Sequence, residues 1–328
     1  MAANRIAILY NADPMVNPVD ILPEHERAIR IAAPDAEVVR AHEELELLDT
    51  GADAQILLTW GMYRPYELAR SAKSLQWIHA LSAGVDGITQ VPEFSASRIR
   101  LTCTKGIHGA PIAEHTLCMM LMLTRGFHLL RDRQLQKQWR KHLQPGELEG
   151  KTAAILGVGE IGRVIARKCK LMGMRVFGLA TRPSQEPSLD RFYRAQDLLT
   201  MLPEADYVVV AVPLTPETAG WIGEKQLRAM KKTAYLFNVA RGPVIDTASL
   251  IRALEEGWIA GAGLDTVEPE PLPPMSHLWS LPNVLISPHM AADSPNYMHR
   301  AIKVFCENLS RFNRGEPLLF EFDWEAGF

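Results

Sequence analysis

At 328 residues the chain is long enough for two domains of ordinary size, each with its own core. A composition 47% hydrophobic and 22% charged is that of a globular protein and excludes a disordered or fibrous one. A net charge of -3 without a Lys/Arg cluster offers no field for nucleic acid, and the four scattered cysteines form no CxxC pair, which argues against a metal site or a disulfide framework.

The N-terminus runs straight into a strand-like segment, Ile6 to Tyr10, without the long apolar core or small-residue cleavage site of a secretory leader. Further short apolar runs follow at Val38 to Val39, Ile56 to Thr59, Trp77 to Leu81 and Ile99 to Thr102, alternating with helix-like stretches such as His25 to Ala32 and Tyr66 to Ser71. Such alternation predicts a small parallel α/β unit. His25, His42, His142 and His299 read as surface residues.

Ala110 to Thr124 predicts a long helix, with Pro111 in its first turn, where a missing N–H costs little. Its nearly continuous hydrophobicity implies burial on most sides, as between domains or subunits. Leu117 to Leu123, its longest apolar run, is too short to span a bilayer, so no membrane partner is expected, and the scattered cysteines fit a reducing, cytoplasmic setting. The polar, basic segment Arg131 to Glu149 predicts a surface arm. At its end, Gly146 to Thr152 imitates a phosphate loop, but three residues separate its glycines where four are required.

The segment from Lys151 to Arg182 carries the most specific chemistry so far. An apolar run, Ala153 to Leu156, leads into Gly157-Val158-Gly159-Glu160-Ile161-Gly162, then an amphipathic stretch, then a second apolar run from Met174 to Leu179. In a strand-turn-helix-strand unit of this kind Gly157 permits the tight turn, Gly159 admits a pyrophosphate to the backbone and Gly162 lets helix and strand pack closely. The phosphates then sit on the amides of the helix N-terminus. NAD-selecting enzymes place a carboxylate at the end of the second strand. Here Ala180, Thr181 and Arg182 stand there, so the expected cofactor is NADP in preference to NAD.

Strands recur at Tyr207 to Val212, Ala234 to Asn238, Ala260 to Leu264 and Val284 to Ser287, with helices between them and a final helix from Ser294 to Arg314. Four segments carry polar groups at strand ends, where open α/β sheets bind ligands. Ser82 to Asp86 is a small-residue turn whose uncovered amides suit a carboxylate, or else an ordinary strand-helix turn. Arg241, between Ala240 and Gly242 beyond a buried strand, suits bidentate binding of a carboxylate, or else an ion pair between loops. Asp265 to Pro271 is the acidic third segment. His289, after a strand and Pro288, is the fourth, and an acidic partner such as Glu270 would fix its ring tautomer and favour the imidazolium.

These segments in this order, with the glycine turn between the first and second, resemble the D-isomer-specific 2-hydroxyacid dehydrogenases. PIAEH (Pro111 to His115), VPLTPET (Val212 to Thr218), NVARGPVID (Asn238 to Asp246) and DTVEPEPL (Asp265 to Leu272) support the resemblance, which spans Leu57 to Arg311. It implies two doubly wound parallel-sheet α/β domains, a Rossmann nucleotide-binding domain (104–292) inserted into a flavodoxin-like substrate domain (1–103 and 293–328), with the active site in the cleft between them. It further implies hydride transfer from NAD(P)H to a small 2-oxo acid such as glyoxylate or hydroxypyruvate, giving the D-2-hydroxy acid.

In that scheme Arg241 clamps the substrate carboxylate together with the amides of Ala83, Gly84 and Val85, and Trp60 lines the pocket. His289 is the general acid, Glu270 its partner, and Glu268 a bystander. Asp265 orients the nicotinamide carboxamide. Gly157, Gly159, Glu160, Ile161 and Gly162 with Thr181 and Arg182 hold the phosphates, while Val212, Pro213, Thr218, Val239 and Ala240 complete the cofactor wall beside His289. A homodimer through Ala110 to Thr124 and the arm, with Trp139 as an anchor, is also implied. The alternative is a cofactor-sensing corepressor on the same fold, since the family contains such proteins.

Overall fold

The computed structural model describes residues 5–9, 21–141, 143–182, 186–325 and 327; Tyr10, the end of the first expected strand, and His142 lie outside these. The chain divides into two compact units, Met1–Ile107 with Asp293–Phe328, and His108–Ala292.

Among the described residues the first unit is built on five strands: β1 (Arg5–Leu9), β2 (Glu37–Ala41), β3 (Ile56–Thr59), β4 (Trp77–Ala80) and β5 (Arg100–Cys103). They run in the order β2-β1-β3-β4-β5, every neighbour parallel. This is the flavodoxin-like winding. A parallel sheet covered on both faces needs strands that are largely apolar on both sides, which is why β3 and β4 are mostly hydrophobic and buried at every residue, with Thr59 and His79 as the polar exceptions. The last long helix, Tyr297–Arg314, returns to this unit and stacks Phe305 on Trp77 at 5.4 Å.

A polar chain threads this core. Trp77 Nε1 donates to Thr102 Oγ1 at 2.7 Å, Thr102 Oγ1 lies 2.7 Å from His79 Nδ1, His79 Nε2 lies 3.3 Å from Thr104 Oγ1, and Thr104 Oγ1 donates to the Ala80 carbonyl at 3.0 Å. Each group is satisfied once if His79 accepts at Nδ1 and donates from Nε2. Complete burial holds its pKa down to about 3, so the ring is neutral. Thr104 also gives its amide to the carbonyls of Ala80 and Ser82, which keeps the residues just past β5 in this unit.

One surface expectation is corrected here. His25 is 5% exposed, because in the helix Pro23–Ala32 it lies one turn before Ile29 on the inward stripe, and its Nδ1 accepts the Leu22 amide at 3.0 Å. His42 and His299 are exposed as expected.

Among the described residues the second unit contains seven strands: β6 (Thr152–Leu156), β7 (Arg175–Leu179), β8 (Arg191–Tyr193), β9 (Tyr207–Val210), β10 (Tyr235–Asn238), β11 (Gly261–Leu264) and β12 (Val284–Ile286). Their order is β12-β11-β10-β9-β6-β7-β8, again parallel throughout. The winding direction reverses between β6 and β9, and ligands of such Rossmann sheets bind outside the carboxyl ends of the strands at that switch point. β8 has only three residues, too short for a periodic signal in the sequence.

The helix Gly109–Arg125 buries Ile112, Ala113, Thr116, Met119, Met120 and Leu123, a stripe of helical period, while Cys118 and Leu121 face outward. The expected burial on most sides therefore holds within the unit for one face only. The expected arm also begins differently: a second helix, Phe127–Leu135, takes its first residues, set off by Gly126 at φ 67°. Beyond that helix the segment is mostly exposed, with Leu148 tucked back into the core.

Candidate active site

The glycine turn joins β6 to the helix Glu160–Leu171. Gly157 has φ 100°, open to glycine at little cost, and a Cβ there would press on the Ala211 carbonyl at 2.5 Å. A Cβ on Gly162 would collide with the Gly157 carbonyl oxygen, so helix and turn meet without a side chain between them. Gly159 is the opposite case, with nothing within 4 Å of the place a Cβ would take. The helix that begins at Glu160 has Gly159 at its N-cap, a residue with no side chain to cap it. A helix N-terminus led by glycine, behind a turn that excludes side chains, fits the pyrophosphate of a dinucleotide. Glu160 is exposed and Ile161 half-buried at its first turn.

Ala180 at the end of β7 donates its amide to the Tyr193 carbonyl at 3.2 Å, and the exposed Thr181 and Arg182 follow. Downstream, the side chain of Glu186 is only 2% exposed and pairs with Arg167 of the glycine-turn helix at 2.8 Å, while Ser188 adds a hydroxyl at 3.0 Å. The Arg167 and Ser188 bonds outweigh burial and hold the Glu186 carboxyl below its ordinary range, Arg167 contributing most. This clip ties Glu186 to the glycine-turn helix, and nothing in the local sequence announces it. After β9, Val212 is half-buried and Pro213 exposed. Thr218 donates to the Pro213 carbonyl at 2.7 Å and accepts the Thr215 amide at 2.7 Å, so its hydroxyl braces the loop.

At the end of β10, Asn238 does work that its sequence position did not reveal. Its Oδ1 accepts the Ala240 amide at 3.1 Å, and its Nδ2 donates to the carbonyls of Arg241 at 3.0 Å and Thr266 at 3.4 Å. One buried amide thus staples the Arg241 loop to the loop after β11. Val239 and Ala240 are buried, and the half-buried Arg241 turns a guanidinium N–H to the Ala240 carbonyl at 2.9 Å. Burial first, and the Arg241 charge second, hold the nearby His108 down to about 4, so that ring is neutral.

His289 Nδ1 lies 2.9 Å from Glu270 Oε2, and Glu270 Oε1 accepts the Val267 amide at 3.1 Å. Burial raises the Glu270 pKa, but the His289 hydrogen bond and charge, the Val267 amide and Arg241 together outweigh it and leave the carboxyl below its ordinary range. Glu268 is exposed, and its carbonyl accepts from Thr247 Oγ1 at 3.2 Å. His289 itself sits at φ 53°, a left-handed conformation that a side chain adopts only where its surroundings impose it.

Asp265 imposes it. The Asp265 carbonyl accepts the His289 amide at 2.8 Å, and its carboxylate, 4% exposed, takes the amides of Met290 at 3.0 Å and Ala291 at 3.1 Å and the hydroxyl of Ser287 at 2.7 Å. The residue assigned from sequence to the nicotinamide therefore also clamps the turn that carries His289.

The remaining candidates, Trp60, Ala83, Gly84 and Val85, belong to the other unit. Among the described residues none of the amides of Ala83, Gly84 and Val85 has a hydrogen-bond partner, an arrangement suited to an anion. Gly61 keeps the turn close: a Cβ there would collide with the Gly84 carbonyl, and its amide donates to Ser82 Oγ at 2.9 Å. Trp60 is half-buried and stacks on Tyr297 at 5.7 Å.

Residues 117–291 match the family model described as "D-isomer specific 2-hydroxyacid dehydrogenase, NAD binding domain". A glyoxylate reductase of Thermofilum pendens is 38% identical over 257 residues, covering 76% of this chain and 75% of that protein. A glyoxylate reductase of Pyrococcus furiosus is 37% identical over 307 residues, covering 89% and 90%. Among solved structures, a D-isomer specific 2-hydroxyacid dehydrogenase of Xanthobacter autotrophicus in complex with NADPH and MES is 28% identical, covers 100% of both chains and superposes with a TM-score of 0.84. With a Rossmann sheet, a glycine turn fitted to a dinucleotide and relatives of this kind along most of its length, the chain belongs to the D-isomer-specific 2-hydroxyacid dehydrogenases, NAD(P)-dependent oxidoreductases that pass hydride between the cofactor and a small 2-oxo or 2-hydroxy acid.

Proposed function

We propose that the protein reduces a small 2-oxo acid of the glyoxylate or hydroxypyruvate type to the D-2-hydroxy acid, with NADPH preferred over NADH. The observation that carries this reading is the His289–Glu270 pair at 2.9 Å, set at the carboxyl end of a Rossmann sheet with the Arg241 charge beside it. The names of the relatives support the substrate class.

Gly157, Gly159 and Gly162 with the first turn at Glu160 and Ile161 would hold the pyrophosphate. Val212, Pro213, Val239 and Ala240 would back the rest of the cofactor, with Asp265 at the nicotinamide end and Thr218 acting through its loop. When bound, this cofactor supplies the hydride. Arg241 offers its fork of donors to the substrate carboxylate. In its own unit, the turn Ala83–Gly84–Val85 offers amides for the same kind of anion, and Trp60 flanks it. Glu270 accepts the Nδ1 proton of His289, which leaves Nε2 to carry the proton that the substrate oxygen takes as negative charge develops on it.

Thr181 and Arg182 replace the carboxylate that would repel a 2'-phosphate, and the Xanthobacter relative holds NADPH. A charge-assisted contact from Arg182 contributes about 1.5–3 kcal/mol, or roughly 10- to 150-fold between cofactors. The test is nicotinamide oxidation with NADPH and NADH against a panel of 2-oxo acids, in the parent and in Arg182→Ala. A parent that favours NADH, or a variant with unchanged preference, rejects the cofactor assignment; no turnover of any short 2-oxo acid rejects the substrate class.

The protein is further proposed to be a cytoplasmic homodimer. Leu121, Leu135 and Trp139, respectively 36%, 65% and 95% exposed, form apolar surface along the long helix and the arm that a second copy would cover, and all four cysteines are free thiols. Sedimentation as a monomer at micromolar concentration would reject the dimer.

A further inference from the structure

The loop that holds His289 is tied to a second histidine. His115, in the helix Gly109–Arg125, lies with Nε2 2.7 Å from Ser287 Oγ and 3.7 Å from Asp265 Oδ1. The single hydroxyl proton of Ser287 is committed to Asp265 Oδ1 at 2.7 Å, so the contact with His115 is one in which Nε2–H donates to the serine lone pair. The proton order is therefore His115 Nε2–H to Ser287 Oγ–H to Asp265. A hydroxyl rotor has several directions open to it, and a donor on its lone pair leaves only the one toward the carboxylate. That carboxylate, nearly excluded from solvent, needs its full set of donors to remain in place. It is also the group that gathers the amides of Met290 and Ala291 and so fixes the left-handed turn at His289.

We propose that His115 is a positioning residue of the reaction: through Ser287 and Asp265 it holds His289 in the orientation from which the proton is delivered, without touching substrate or cofactor. The inference rests on the reading of His289 as the proton donor. Misplacing a proton donor by a fraction of its hydrogen-bond length slows the chemical step more than it weakens binding.

The experiment compares the full-length parent with His115→Leu, His115→Gln, Ser287→Ala and His289→Gln. It reads kcat and KM for glyoxylate with NADPH, the NADPH dissociation constant by fluorescence, and Tm. His115→Leu is expected to lower kcat about ten-fold or more while KM, NADPH affinity and Tm stay near the parent's. His115→Gln, whose side-chain amide can donate to Ser287 from the same place, is expected to recover most of the loss, and Ser287→Ala to repeat it. The inference is overturned if His115→Leu keeps kcat within about two-fold, or if its loss comes with equal losses of NADPH affinity and Tm and is not rescued by Gln. If His115→Leu does not fold, Ser287→Ala is judged by the same split. His289→Gln separates the two levels: full turnover there removes the proton-donor reading itself, whereas its loss beside an unaffected His115→Leu removes only the role of His115.

Discussion

Gly242 approaches the Val267 carbonyl so closely that a Cβ on the glycine would collide with it. The loop of Arg241 and the loop leading to Glu270 are thereby pressed backbone to backbone, with Asn238 stapled to both. The proposed carboxylate clamp and the proposed histidine partner thus share one scaffold. In Gly242→Ala one of the two loops must move, since neither obstacle is a flexible side chain. We expect a loss of about 1–3 kcal/mol in stability and a fall in kcat/KM of about ten-fold or more, measured by thermal melting and steady-state kinetics. Parent-like values in both would show that the contact has slack.

Arg241→Ala and His289→Gln are expected to fail in different ways. Without the proton donor, turnover drops by roughly 100-fold or more, with KM little changed. Without the clamp, KM for the 2-oxo acid rises as well, because binding and orientation are lost together. Near-parent turnover of His289→Gln on every accepted 2-oxo acid would refute its assignment.

The glycine turn predicts a separation of stability from binding. Gly159 has open space where a Cβ would go, so Gly159→Ala should melt like the parent but bind NADPH about ten-fold or more weakly, because the methyl group takes the approach left for the pyrophosphate. Gly162→Ala meets the Gly157 carbonyl oxygen and should lower Tm in the absence of any nucleotide. Calorimetric titration and melting curves distinguish the two; an unaltered NADPH affinity in Gly159→Ala would argue against the phosphate site.

Acid is expected to destabilise the first unit through His79. A histidine held at about 3 in the folded chain against an ordinary 6.5 stays neutral while the unfolded chain takes up a proton. Its share of stability is therefore complete above pH 6.5 and is lost as pH falls from there toward 3, by at most about 1.4 kcal/mol per pH unit. His108, held at about 4, acts in the same sense. His79→Gln, which keeps an acceptor and a donor but does not titrate, should give a shallower decline in urea midpoint between pH 6.5 and 4.5. An equal slope in parent and variant would assign the acid sensitivity elsewhere.

Much of this protein is legible in its residues because the signals are local. Buried parallel strands are largely apolar on both faces, so β3, β4, β6 and β9 stand out as runs in spite of Thr59 and His79; the glycine turn is visible because each glycine answers a local steric demand. The groups proposed for the chemistry, Arg241, Glu270 and His289, were legible because they follow such strands in a recognisable order. What stayed hidden depends on contacts between distant segments. His25 turns inward because of what its helix packs against, and the residues from Arg131 to Leu135 are helical although they read as the start of an exposed arm.

Asn238 and His115 were present in the quoted motifs and Ser287 at the end of an expected strand, yet nothing in them says that one amide staples two loops or that a hydroxyl 172 residues from His115 lies 2.7 Å from its ring. Hydrogen bonds with direction and a carbonyl pressed against a glycine are properties of the packed sheet. The sequence by itself determined most of the elements, the family and the candidate groups for the chemistry; only the tertiary structure decided which of those groups hold one another in place, because that depends on angles and distances between chain segments that meet after the sheet has formed.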